Sequence, residues 1–305
     1  MNPNLSSPNR FYVDMNLTLL GTKGGPSLRQ KGASMMPSSS HLLIDDKSIV
    51  IDCGLGVTSG LVHAGYKLTE ITHIFITHYH SDHCLELGAL LHTAWTAGLS
   101  KPIQVYGPPG LDTIWNGFRE MMQFDIEIRI TDEGRAPLED IAEFHTFCDF
   151  DGLGQAFTIM DDDGLSVSAL KNNHPPIDES YALRFDTGEK AITFSGDTTY
   201  LETMIEFAKG SDVLVHEAML SSGIDYVVAQ TKTGNEQLRK HLVASHTLAS
   251  QAGIIAQQAD VKCLMLNHLI PPEREISSDD DWLSDVHKTY DGQCLIGFDG
   301  LKYTI

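Results

Sequence analysis

Long apolar runs are missing from this 305-residue chain: none approaches the length that spans a bilayer, so a helical membrane span is excluded. The first residues, MNPNLSSPNRFYVD, hold no basic segment leading into an apolar core, and no secretory signal is expected. Cysteine is sparse as well. Cys53, Cys84, Cys148, Cys263 and Cys294 are odd in number, scattered and without a CxxC pair, which fits a reduced, cytoplasmic setting. Basic residues are outnumbered, 21 Lys and Arg against 41 Asp and Glu, for a formal charge of −20. Such a surface repels phosphate backbones and anionic membranes unless a local basic patch offsets it. Neither nucleic acid nor membrane is therefore the expected partner. Low-complexity linkers and short-period repeats are absent too. What is present, 42% apolar and 20% charged residues, is the composition of a soluble globular protein. A chain this long can bury a large core, and residues 1–305 are read as one domain.

Short apolar runs alternate with helical patterns. MNLTLLG (15–21), HLLIDD (41–46), SIVIDCG (48–54) and HIFIT (73–77) predict strands. DHCLELGALLHTAWTAGL predicts a helix stopped at Gly98, and another is expected over 111–123. Residues 126–197 read as strand-rich, from IEIRI (126–130) through EFHTFCDF, AFTIMDDD, LSVSALKNN and YALRFDT to AITFSGD. The last third returns to alternation: strands VLVHEAM, CLMLNH and CLIGFD, with helices through 247–259 and near 282–290. Strands then helices, twice over, predict an α/β fold of two face-to-face sheets with helices outside, a four-layer αββα sandwich.

Residues 76–84, ITHYHSDHC, place three histidines and an aspartate within six positions. A polar loop, a solvated helix start or a redox pair using Cys84 are the plainer readings. His78 and His80, two apart, project to one side of an extended backbone at a strand end. Asp82 and His83 follow at the expected start of a helix. Neutral imidazoles and a carboxylate are what borderline metals such as zinc bind. A two-metal site needs more ligands, and three polar residues stand just past apolar strands: His174 in KNNHPP, Asp197 in ITFSGDTT and His268 in LMLNHLIPP.

HxHxDH followed in order by a strand-end His, SGDT, HEA, SHT and NHL resembles the metallo-β-lactamase-fold hydrolases, and among them the ribonuclease Z and arylsulfatase-like branch. LLGTKGGP and IVIDCGLG carry the resemblance over about residues 15–300. It implies the metallo-β-lactamase fold and two divalent ions, zinc first, with manganese or iron as alternatives. His78, His80 and His174 would hold one metal, Asp82, His83 and His268 the other, and Asp197 would bridge them. Metal-bound hydroxide would be the nucleophile and Asp82 would orient it. His246 of VASHTLAS would protonate the leaving oxygen, with Glu217 of VHEAM holding its imidazole. A helix-start position after an N-cap Ser245 is the plainer alternative for His246, and buried hydrogen bonding accounts for Glu217 and His216 equally. HEAM stands where ribonuclease Z has HEAT, and no TPGH segment is present, which counts against glyoxalase II-like enzymes and many lactonases.

The long basic arm of ribonuclease Z is not visible, and residues 111–165 are acidic instead. The expected substrate is a small ester or related electrophile: a phosphodiester, sulfate ester, lactone or activated aromatic. The alternatives are ribonuclease Z-type processing of tRNA 3′ ends and a non-catalytic metal-bound effector module. A homodimer is expected from the resemblance alone. Lys23, Arg29 and Lys31 in GTKGGPSLRQK read as a solvated basic loop before an anion contact. MDDDG (160–164) reads as a hairpin turn and SSDDDW (277–282) as an acidic helix start. Trp95, Trp115, Met121 and Met122 read as core, and Cys84 as a softer group behind the site.

Overall fold

The structure, a computed structural model, describes residues 14–28, 35–147, 152–231 and 234–305. Strands β1 (Met15–Gly21), β2 (Ser39–Ile44) and β3 (Lys47–Ile51) form an antiparallel meander. The sheet continues in parallel through β4 (His73–Phe75), β5 (Ile103–Gly107) and β6 (Ala142–Thr146). Parallel neighbours need crossover segments. These are α1 (Val57–Ala64) before β4, α2 (Ser81–Cys84) and α3 (Leu87–Thr96) before β5, and α4 (Leu111–Met121) and α5 (Gln123–Glu133) before β6.

The second half repeats the plan. An antiparallel run, β7 (Ala156–Asp162), β8 (Leu165–Lys171), β9 (Tyr181–Asp186) and β10 (Ala191–Phe194), leads into parallel β11 (Val213–Met219), β12 (Cys263–Ile270) and β13 (Gln293–Ile296). Its crossovers are α6 (Thr203–Phe207), then α7 (Ile224–Ala229), α8 (Asn235–Ser245) and α9 (Ala249–Gln258), then α10 (Asp279–Val286). The last strand, β14 (Lys302–Thr304), returns to the first sheet and pairs with β1. The sheet orders are β14-β1-β2-β3-β4-β5-β6 and β13-β12-β11-β10-β9-β8-β7.

Side-chain alternation turns these sheets into four layers, because successive strand residues face opposite ways. Ile49, Ile51 and Phe75 meet Phe185, Val213, Val215 and Met265 between the sheets. Their neighbours Val50 and Ile74 face outward onto α1, α3 and α4. Leu214, Leu264 and Leu266 face outward onto α6, α9 and α10. Strands buried on both faces explain why HIF and VLVHEAM are nearly continuous apolar runs. This is the αββα sandwich of the sequence reading.

Several sequence expectations need correction. IEIRI (126–130) is helix, part of α5, not strand. Ile126 is buried and Ile130 packs on the core four residues later, whereas Ile128 is 45% exposed. That is the 3.6-residue period, reinforced by Arg129 paired with Asp125 and with Glu133 at i,i+4. Ser245 ends α8 and does not cap the next helix; His246 follows it in extended backbone, and α9 starts from Leu248. Trp95 and Trp115 are core, as expected, but Met121 is 70% exposed. The MDDDG turn does join β7 to β8, with Asp163 and Gly164 at positive φ. Ser278 caps the acidic start of α10. Arg29, Lys31 and Cys148 lie outside the described residues.

Candidate metal centre

The seven metal-facing residues of the sequence reading converge at one edge of the sandwich, past the ends of β4, β8 and β10 and within β12. Ligand atoms of His78, His80, His174 and Asp197 lie within 4.8 Å of one another, and so do those of Asp82, His83, Asp197 and His268. In the first group, His80 Nδ1 lies 3.2 Å from His78 Nε2 and 3.0 Å from His174 Nε2. One ring proton cannot satisfy three nitrogens that point at a common centre, but a cation can.

Asp197 joins the groups. Its Oδ2 is 3.8 Å from the Nε2 atoms of both His78 and His174, 3.3 Å from that of His83 and 3.1 Å from that of His268. His268 Nε2 is also 3.3 Å from Asp82 Oδ2. His83 Nε2 and Asp197 Oδ1 are buried without any hydrogen-bond partner. Buried polar atoms are rarely left so, and here they line the gap between two ligand sets of imidazole and carboxylate. The donor chemistry and the orphaned atoms fit divalent transition-metal ions.

Neighbours hold several of these rings by the far nitrogen, the arrangement that orients metal-binding histidines. His83 Nδ1 bonds Asp52 Oδ2 at 2.8 Å, and Asp52 also accepts the amide and hydroxyl of Thr77. His174 Nδ1 donates to the Ser245 carbonyl at 2.9 Å, and His78 Nδ1 sits 3.1 Å from Thr77 Oγ1. Asp52 carries this load at φ 60, in the left-handed region where aspartate is among the more tolerated residues.

Burial pushes the imidazoles of His78 and His80 down, and His174 down to about 4; they stay neutral, as ligands must. Burial opposes ionisation of Asp82 and Asp197. For Asp82 the hydrogen bond of His268 and the charges of His83 and His268 override it, and for Asp197 the charges of His268 and His83 do, so both carboxyls are held well below the usual range. His83 is resisted by burial but held well above its ordinary value by Asp197 and then Asp52. A bound cation would displace that proton.

His246 and Glu217 lie beside the second group. His246 Nδ1 is 3.1 and 3.2 Å from the Glu217 oxygens, both residues are buried, and Glu217 Oε1 accepts the Thr198 amide at 2.8 Å. Burial, then the charge of Asp197, raises the Glu217 carboxyl; burial lowers the His246 imidazole. Glu217, His246 and His268 also approach one another closely enough to hold an ion, but the Glu217 oxygens are already engaged by His246 and Thr198. His216 is a buried hydrogen-bonding residue, its Nδ1 donating to the Glu217 carbonyl at 2.7 Å.

Three features escaped the sequence reading. His268 is not past a strand end but inside β12, at φ 44, opposite the register shift between Glu217 and Ala218 of β11. His241 of α8 lines the site with its ring 6.2 Å from His80 and 5.8 Å from His246; with α8 unread, its position had no signal. Lys23 is not solvated: it is buried, its ammonium donating to the carbonyls of Gly24 and Gly25 at 3.0 and 2.5 Å. Above the ligands opens a cavity of about 300 Å³, walled opposite them by Val227, Leu238, Leu242 and Ile270.

Comparison with known proteins fits this geometry. A ribonuclease Z of Mycobacterium sp. (strain KMS) is 26% identical over 289 residues, covering 93% of this chain and 94% of that protein. The metallo-β-lactamase fold protein YhfI of Bacillus subtilis superposes with a TM-score of 0.68 at 21% identity, covering 96% of this chain and all of the other. The short form of human tRNase Z gives 0.68 at 22% identity, covering 94% and 98%. Residues 15–265 match the sequence profile of the anti-Pycsar protein Apyc1. The protein is a metallohydrolase of the metallo-β-lactamase superfamily, in its ribonuclease Z branch, and it belongs to the Apyc1 anti-Pycsar family.

Proposed function

We propose that the protein hydrolyses small phosphodiesters with two divalent ions, zinc first, held by His78, His80 and His174 on one side and Asp82, His83 and His268 on the other. The observation that carries this reading is Asp197, whose Oδ2 lies within 3.8 Å of a ligand nitrogen from each group at the floor of the cavity. Bound there, the ions would lower the pKa of a water and offset charge on the attacked ester. The residues supply the rest. Asp82 faces the same space and would orient the attacking oxygen. His246 would give its Nε2 proton to the leaving oxygen while Nδ1 takes the proton shared with Glu217, so the pair delivers one proton without leaving a buried charge on the imidazole.

Three features favour a small substrate. The cavity of about 300 Å³ suits a compact molecule. Its α7–α8 wall is apolar and would pack an organic group attached to the phosphate. A net charge of −20 disfavours a long polyanion. Phosphodiester is preferred over sulfate ester or lactone because the relatives named ribonuclease Z and tRNase Z cleave that linkage. The second reading, tRNA 3′ processing, is favoured by the match to ribonuclease Z across 93% of the chain. The homodimer and the cytoplasmic setting belong to the proposal as well; among the described residues no helix is long and apolar enough to cross a membrane. Sedimentation at micromolar concentration tests the dimer, and a monomer there removes it.

The deciding experiment offers metal-loaded protein bis(p-nitrophenyl) phosphate, p-nitrophenyl sulfate, a lactone and a precursor tRNA. Turnover of the aryl phosphodiester is expected. Cleavage of the precursor alone would install the second reading. Silence on all four, with two ions bound, would favour the effector module.

A further inference from the structure

The glycine-rich turn after β1 lines the cavity with Gly24, Gly25 and Pro26, and it is also tied to the ligands beneath. Thr22 is buried, and Asp299, in the segment between β13 and β14, grips it twice: Oδ1 accepts the Thr22 amide at 3.0 Å and the Thr22 hydroxyl at 2.7 Å. The other oxygen of Asp299 accepts the Met36 amide at 2.6 Å, and the Met36 carbonyl takes the Lys23 amide at 3.0 Å. One carboxylate thus fixes both ends of the loop. From there the turn reaches the second ligand group by two routes. The Thr22 carbonyl accepts the Leu269 amide at 2.9 Å, and the Gly24 amide donates to the Leu269 carbonyl at 3.1 Å, so the turn is laced to the residue after His268. The Gly25 amide donates to Asp82 Oδ2 at 2.9 Å.

The glycines are required by contact. A Cβ built at Gly24 falls 2.5 Å from Ile270 Cγ1 and 3.0 Å from Nδ1 and Cε1 of His268, so any side chain there pushes on the imidazole. Gly25 stands at φ +78, where glycine alone is comfortable. His268 itself holds φ 44, a conformation that neighbours must maintain. The Lys23 ammonium binds the outward carbonyls of Gly24 and Gly25 and so tightens the turn that aims the Gly25 amide.

We propose that Asp299 is a positioning residue for one metal: through the Thr22–Gly25 turn it sets His268 and Asp82, and it leaves the His78, His80 and His174 group untouched. The inference rests on the reading of Asp82 and His268 as ligands. It gives GTKGGP a role distinct from either a solvated loop or an anion contact.

The test is chelator competition for zinc, with elemental analysis, on the full chain and on four variants. Asp299→Asn keeps the volume but turns an NH2 group toward one of the loop amides, and Gly24→Ala places a methyl on His268. Each is expected to weaken one of two bound ions by about 10–100-fold, the range for loss of a group that orients ligands, while the other ion keeps its affinity. Thr22→Val, which removes one hydroxyl, is the mild member and serves if Asp299→Asn does not fold. A merely structural role would lower the unfolding temperature of the metal-free protein and weaken both ions together; that result, or unchanged affinity in Gly24→Ala, overturns the inference. His268→Ala is the control. If it keeps two tightly bound ions, the ligand reading fails; if it loses one while the other three variants lose none, only the positioning role fails.

Discussion

The two sheets contribute to one site in opposite ways. The first delivers His78, His80, Asp82 and His83 from a single loop after β4, while the second delivers His174, Asp197 and His268 from three separate strands. The loop's side chains depend on local geometry: two loop residues between β4 and α2, and the first turn of α2. The dispersed three depend on register across a mixed sheet, and two have a neighbour from elsewhere in the chain to fix them. Ser245 holds His174, and the turn after β1 covers His268. Spacing therefore reveals the first sheet's contribution, and only the fold reveals how the second's comes to share a centre with it.

Three perturbations sharpen this contrast. Asp197→Ala removes the carboxylate on which both sheets' groups meet. We expect both ions to weaken and turnover of bis(p-nitrophenyl) phosphate to fall by more than about 100-fold, beyond the effect of losing an outer partner. Two ions still tightly bound by elemental analysis would show that the groups do not depend on it. His246→Ala should keep both ions. Hydrolysis of esters with alkyl leaving groups should slow by about 100-fold or more, and nitrophenyl esters far less, since nitrophenolate needs little protonation. Equal slowing of the two classes would make His246 a structural residue of the second sheet. Asp52→Asn disturbs the first sheet's hold on His83 directly and reaches His78 only through Thr77, and should weaken one ion by about 10–100-fold and the other far less. A loss shared by both ions, read by chelator competition, would mean the two groups are not independently supported.

Much of this was legible before the fold. HxHxDH announced its chemistry by spacing, and the strands buried on both faces announced themselves as apolar runs. The failures have physical causes. Ile126, Ile128 and Ile130 alternate as a strand would, yet their burial follows a helix because α4 and the first sheet offer only one apolar surface to α5. His268 reads as a strand-end residue because its positive φ and the slip in the β11 ladder leave no mark in LMLNHL. Lys23 looked solvated because charge patterning cannot register two glycine carbonyls placed to receive its ammonium. The α7–α8 pair, which carries His241 and the apolar wall, was passed over because α8 has only Leu242 and Ser245 fully buried, too few for a clear stripe.

The pairing of β14 with β1 has a consequence in time. Thr304 and Asn16 are 288 positions apart, and they meet on the sheet that carries the histidine loop. At a synthesis rate of about 5–20 residues per second, β1 waits roughly 15–60 s before its outer neighbour exists. A contact of such range forms only after large loop-closure entropy is offset by other packing. That edge thus stays bare until β14 follows, and Asp299 is made after every one of the ligands. We expect purified chains truncated before residue 297 to hold at most one zinc tightly, while residues 1–305 hold two; two tight ions in the truncated chains would refute this dependence. The second ion's hold would then wait on the strand that closes the first sheet.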